Sequence, residues 1–174
     1  MSENELKRIA VIGDKDSVTR AISHNVMASG YELTSRHQDA DIAITYCLDE
    51  GNLTRVYFGD DGLVTSMKPG AFLIDCSPSI PSVAKEISAM AQVSNMHAID
   101  APLFVRDITS EHAFEDPDNL VALAGGVKED FSTCKDVLFS FAAKTAYCGD
   151  AGAGQKTKAA FTLAQAQSLV TLIE

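Results

Sequence analysis

Arg8-Ile-Ala-Val-Ile-Gly13 runs directly into Asp14-Lys-Asp-Ser-Val-Thr-Arg-Ala-Ile-Ser-His-Asn-Val26, and the reading of that junction decides the fold. Arg8 to Ile12 is short, apolar and rich in β-branched residues, and a glycine bounds it, which is the pattern of a buried strand. Beyond the glycine, Val18, Ile22 and Val26 recur every four residues and so share one face of a helix. A strand that gives way to a helix this abruptly is a βα unit, and chains built of such units form a sheet covered by helices.

The alternation continues along the chain. Strands are predicted at Arg8–Ile12, Gly30–Thr34, Asp41–Thr45, Ala71–Asp75, Met96–Ile99, Leu120–Leu123 and Thr145–Cys148. Val83 and Ile87 followed by Met90, and Phe131, Cys134, Leu138 and Phe141, give two more helical stripes expected to pack on the sheet. Pro81 suits the first turn of its helix, and Lys68-Pro-Gly70 is a turn delivering the chain into the next strand. Between Gly30 and Asp41 there is room for one strand and a connector, so the sheet is trimmed where a second helix and third strand would ordinarily lie.

Composition bounds the function. A chain of 174 residues, 46% of them hydrophobic, suits one domain with a substantial core. Its 14 basic and 24 acidic residues give a net charge of −10, which disfavours nucleic acid and anionic membrane surfaces as partners. The polar opening Met1–Glu5 lacks the basic and apolar regions of a secretory signal, and no apolar run reaches membrane-spanning length, so a soluble, cytoplasmic protein is expected. Cys47, Cys76, Cys134 and Cys148 form no paired motif and read as reduced, mostly buried thiols. His24, His37, His97 and His112 have no metal-ligand spacing, and no metal site is assigned. The acidic tract from Asp107 to Asp118 reads as a solvated loop with Arg106 as its counter-charge.

In order and spacing, a set of short motifs resembles the cofactor domain of the β-hydroxyacid dehydrogenase family, which includes 3-hydroxyisobutyrate and 6-phosphogluconate dehydrogenases. The motifs are Asp41-Ile-Ala-Ile-Thr45, Val56-Tyr-Phe-Gly-Asp-Asp-Gly62, Lys68-Pro-Gly-Ala-Phe-Leu-Ile-Asp-Cys-Ser77 with Pro81, Asp100-Ala-Pro102, Gly125-Gly126 and Gly149-Asp-Ala-Gly-Ala-Gly-Gln-Lys-Thr-Lys158. The resemblance implies an α/β, Rossmann-like, doubly wound and mainly parallel sheet over residues 1–150. Residues 151–174 would begin a protruding interdomain or dimerisation helix, with a second, helical domain absent from this chain. It also implies NAD or NADP as cofactor, a small carbonyl or hydroxyacid substrate, and a homodimer through the C-terminal helix. Lys158 takes the place of the catalytic lysine. Cofactor-binding expectations fall on Gly13, Asp14, Lys15, Arg36, Cys47, Leu48 and Ser77. Arg36, in the turn after the second strand, is positioned to meet a 2′-phosphate.

Several positions depart from the family pattern. Family members carry G-x-G-x-x-G in the first turn, whereas Lys15 and Val18 stand where the second and third glycines belong. Asp14 and Asp16 place carboxylates where a pyrophosphate would lie, although either also reads as the N-cap of the first helix. Leu103-Phe-Val-Arg106 replaces a Ser-Gly-Gly substrate loop, and Phe161 replaces an asparagine three residues beyond the lysine. Phe104 and Phe161 are of a kind to line an apolar site for a different carbonyl or imine. The final segment is apolar along Leu163, Ala166, Val170 and Ile173, with a second apolar side at Phe161 and Leu172. Two functions are therefore expected: an NAD(P)-dependent oxidoreductase in which Lys158 moves the proton, or a non-catalytic ligand-sensing or interaction module that works through its terminal helix. Glu174 falls partway along that helix, as in a cofactor-domain piece of a longer chain or in a short form that uses the helix otherwise.

Overall fold

The computed structural model describes residues 8–14 and 17–173, apart from the side chains of 169–173. Strand β1 (Arg8–Gly13) leads to helix α1 (Ser17–Ala28), the short strand β2 (Glu32–Leu33), a single 3-10 turn at His37–Asp39 and strand β3 (Ile42–Tyr46). Helices α2 (Glu50–Phe58) and α3 (Leu63–Ser66) precede β4 (Phe72–Asp75), α4 (Pro81–Val93), β5 (His97–Asp100) and β6 (Leu103–Val105). Then come β7 (Leu120–Gly126), α5 (Lys128–Phe141), β8 (Lys144–Gly149) and the long α6 (Ala153–Ile173).

Strands β2, β1, β3, β4 and β5 lie side by side in parallel. The chain then passes through Pro102, and β5 and β6 both pair with β7 in antiparallel fashion, at Ile99–Asp100 and at Leu103–Val105. Ala122 faces Leu103 on one side and Thr145 on the other, so β8 runs along the opposite edge of β7, parallel to it. All seven expected strands are present, and the 3-10 turn is all that stands between β2 and β3, as the short connector requires.

Strand alternation sorts the core into two layers. Ile9, Ile42, Ile44, Ile74 and Ile99 face α1 and α5, where Val18, Ile22, Val26, Cys134, Leu138 and Phe141 meet them. Ala10, Ala43, Leu73 and Ala98 face the other way, onto Leu53, Tyr57, Leu63, Val83, Ile87 and Ala91 of α2, α3 and α4. Successive residues point to opposite faces, so each strand covers both, which is why its run is apolar without a polar alternate. Pro81 opens α4, and Gly70 closes its turn with a positive φ of +81°.

The structure also revises several expectations. Strand β6 forms from Leu103-Phe-Val, where the family resemblance implies a substrate loop. Helix α2 starts at an Asp49 N-cap whose side chain accepts the Asn52 N–H at 2.8 Å, and it buries Leu53 and Tyr57. Met90 is exposed and does not join its stripe on the sheet. The acidic tract is the solvent-facing loop expected, pinned at its ends by the Asn119 side chain, which accepts from Asp107 N–H and donates to the carbonyls of Asp107 and Ala113. Phe114 turns inward against Tyr46, edge-on at 6.3 Å, and Arg106 donates to the Asp118 carbonyl rather than to a carboxylate. Burial along α6 falls away after Lys158, leaving Leu163 72% exposed and Ala166 exposed as well; the side chains of Val170, Leu172 and Ile173 lie outside the described residues. Cys47, Cys76 and Cys134 are buried thiols outside any disulfide, as expected, with Cys148 partly exposed.

Candidate active site

Two groups of residues meet the C-terminal edge of the parallel strands, where open α/β sheets bind ligands. The first gathers where α6 leaves β8. Asp100, at the end of β5, accepts the Gly152 N–H at 2.7 Å and the Gln155 N–H at 3.0 Å, and so caps the start of α6. The approach is close enough to require glycine: a Cβ on Gly154 would stand 2.1 Å from the Leu123 carbonyl oxygen, and one on Gly125 2.6 Å from Asp100 Oδ1. Gln155, almost fully buried, donates to the Ser77 carbonyl at 2.9 Å and accepts the Ser79 N–H at 3.2 Å, which ties α6 to the β4–α4 turn. Lys158 is thereby carried, half-buried, into the electrostatic reach of Cys76.

Electrostatics here favour groups that can exchange protons. Burial lowers the Lys158 pKa below the usual lysine value, an effect the nearby Cys76 partly offsets. Burial raises Asp75 to about 6, against hydrogen bonds from Ser77 and Thr45 that lower it and the charge of Asp100 that raises it. Asp75 Oδ1 accepts from the Ser77 N–H at 3.0 Å and from the Thr45 hydroxyl at 3.1 Å, and the Tyr57 hydroxyl completes the chain 2.7 Å from Thr45. Asp75 Oδ2 is buried with no hydrogen-bond partner among the described residues. Asp100 is also raised by burial, against the backbone amides it caps. Phe104 of β6 and Phe161 of α6 come together at 5.5 Å, forming an aromatic wall beside the Lys158 turn.

The second group surrounds the β1–α1 turn. Gly13 has φ +143°, and a Cβ there would stand 1.9 Å from the Tyr46 carbonyl oxygen, so its absence is what allows β1 and β3 to run together. The Asp14 N–H donates to that same carbonyl at 3.1 Å. The Asp14 carboxylate turns across to the neighbouring connection: Oδ2 accepts the Leu48 N–H and Oδ1 accepts from Asn52 Nδ2, each at 2.8 Å. Val18, in the third glycine's place, is 5% exposed and sits in the core. Lys15 and Asp16 lie outside the described residues.

Of the remaining predicted positions, Ser77 is fully buried, its hydroxyl accepting the Cys47 N–H at 2.9 Å. These two residues hold the ends of β3 and β4 together, whereas Leu48 is 62% exposed beyond them. Arg36 points to solvent and pairs with Asp39 at 3.3 Å. A cleft of about 690 Å³ opens beside the turn, lined by Gly13, Asp14, Arg20, His24, Ser35 and His37 among others. Sequence reasoning missed Arg20 and His24. Their four-residue spacing on α1, on the face away from the Val18 stripe, was the available signal. The Arg20 guanidinium and the imidazoles of His24 and His37 stand on its wall. The diphosphate of a dinucleotide does not fit as the residues stand, because Asp14 holds the Leu48 amide and brings a charge of the wrong sign.

The family model for the NAD-binding domain of 6-phosphogluconate dehydrogenase matches residues 4–149. An uncharacterised oxidoreductase of Bacillus subtilis is 34% identical over 137 residues, covering 79% of this chain and 46% of that protein. The mitochondrial 3-hydroxyisobutyrate dehydrogenase of Mus musculus is 29% identical over 137 residues, covering 79% of this chain and 39% of that protein. The chain thus spans less than half the length of these relatives. Among solved structures, the 3-hydroxyisobutyrate dehydrogenase of Mycobacterium tuberculosis, with L-serine, aligns at a TM-score of 0.80 and 22% identity over 92% of this chain and 60% of that one. A variant imine reductase of Myxococcus stipitatus, in complex with NAD+, aligns at 0.80 and 16% identity over 96% and 63%. At such identities these two likenesses concern the fold alone. With its motifs in family order on a parallel sheet and the family model matched across residues 4–149, the chain belongs to the β-hydroxyacid dehydrogenase family as its NAD-binding-type domain.

Proposed function

We propose that this domain is the cofactor half of a β-hydroxyacid-dehydrogenase-like oxidoreductase, with Lys158 as the residue that holds and moves a proton at its Nζ. The observation that carries this reading is the placement of Lys158: half-buried, lowered in pKa, and fixed at the sheet edge by a helix start that Asp100 and Gln155 anchor. A lysine whose pKa falls toward neutrality is a better general acid or base than a solvated one. The rebuilt wall of Phe104 and Phe161 favours a small carbonyl or imine with an apolar substituent over a carboxylate-rich substrate. In this reading residues 151–174 begin an interdomain and dimerisation helix, and α6 pairs with a second copy in a cytoplasmic homodimer. The dimer is tested by sedimentation: self-association that disappears on removing residues 159–174 supports it, and a monomer unchanged by the truncation refutes it.

A second reading has its own observation. The Asp14 carboxylate on the Leu48 amide favours a non-catalytic module that senses a ligand or a partner. Calorimetric titration with NADH and NADPH separates the two. Binding in the micromolar range rules out the non-cofactor module, and no heat at millimolar cofactor rules out the dehydrogenase reading for this chain.

A further inference from the structure

Asp14 makes a set of contacts that a turn residue does not need. Its main chain is already satisfied, the N–H by the Tyr46 carbonyl and the carbonyl by the Thr19 hydroxyl at 2.6 Å. Its carboxylate adds nothing to that turn. It reaches instead to two donors from a connection 34 and 38 residues further along the chain, the Leu48 amide and the Asn52 side chain. Leu48 lies two residues past the end of β3 and is exposed, and its amide donates to the Asp14 carboxylate of the neighbouring turn. Asn52 lies in the first turn of α2, and its own N–H is taken by Asp49, which leaves its side-chain amide for Asp14. Two N–H donors, each 2.8 Å from one of the two carboxylate oxygens, are a donor set that serves the oxygens of a phosphate equally well.

We infer that Asp14 is a resident anion: its carboxylate occupies the donor set that a dinucleotide's diphosphate would use, and binding requires its displacement. The inference rests on the cofactor-domain reading above. It puts the adenosine part in the cleft lined by Arg20, His24, Ser35 and His37, and the diphosphate at the cleft's Asp14 end, where the Leu48 and Asn52 donors are held by the chain's own carboxylate. The affinity of the natural protein for dinucleotides is then set by Asp14 and not by the missing glycines alone. A ligand with the adenosine part and no diphosphate is indifferent to it.

The test compares wild type with Asp14→Asn and Asp14→Ala, titrated with NADH, NADPH and adenosine. Circular dichroism confirms that each variant is folded, and ¹⁵N spectra follow the Leu48 amide. Asp14→Asn keeps an acceptor for that amide and removes only the charge, which guards against a loss of structure. Expected are NADH and NADPH affinities tighter by about tenfold or more in both variants, the scale of removing one like charge at contact distance. Adenosine binding should be unchanged, and the Leu48 amide should shift on adding NADH to Asp14→Ala. Wild-type binding with equal or weaker binding by both variants overturns the inference and leaves the cofactor reading standing. A gain without movement of the Leu48 amide overturns it too, since it assigns the effect to long-range charge. Absence of dinucleotide binding in all three proteins overturns both.

Discussion

Asp75 and Lys158 approach Cys76 from two elements, and burial shifts the pKa of each toward neutrality from opposite sides. For Asp75 the consequence for stability has a definite sign. Its folded pKa of about 6 lies above the unfolded carboxylate value near 3.8, so the folded state binds more protons within that window. Stability therefore falls as pH rises through it, by about 3 kcal/mol for a shift of this size, and the loss is complete above pH 6. Asp75→Asn keeps the acceptor for Ser77 and Thr45 and removes the ionisation, so it should be more stable than wild type at pH 8 and nearly equal to it at pH 4. Urea denaturation at the two pH values checks this. Lys158→Met removes a cation that burial disfavours, so its Tm should be equal to or above that of wild type. A fall of several degrees would give Lys158 a structural role and weaken the case for proton transfer.

At the scale of elements, the join between β7 and α6 leaves no room for a side chain. Gly125 and Gly154 let the start of α6 lie against the Leu123 carbonyl and the Asp100 carboxylate. Gly154→Ala forces backbone apart there and should cost about 1–3 kcal/mol, as overpacking does, with a matching loss of the Lys158 pKa shift. Chemical denaturation measures the first effect and titration of a ¹⁵N-labelled lysine amine the second. This join was legible in the sequence only as a glycine-rich turn before a lysine. That Asp100 reaches 52 residues ahead to cap it was not, because nothing local in Asp100-Ala-Pro102 announces a partner so distant. The same applies to Asp14: its charge was readable as a threat to a diphosphate, but its bonds to Leu48 and Asn52 depend on the approach of two turns. Strand β6 was missed for a simpler reason, since three residues after a proline carry too little pattern to outweigh a loop reading.

For the whole molecule, the sequence was most informative where burial on both sheet faces imposes a pattern. The seven predicted strands form because runs such as Ile42-Ala-Ile must satisfy two cores at once. It was least informative on α6, whose apolar residues are spread around the helix, with Phe161 and Leu163 exposed once the anchored first turns are passed. Under the proposed function, the β1–α1 turn and its neighbouring cleft hold the dinucleotide. The most direct test is a ¹⁵N spectrum of the wild-type protein recorded with increasing NADPH. Progressive shifts are expected at Val11, Arg20, His24, Ser35 and His37 around the cleft. Shifts confined to α6, or none at millimolar NADPH, would contradict it.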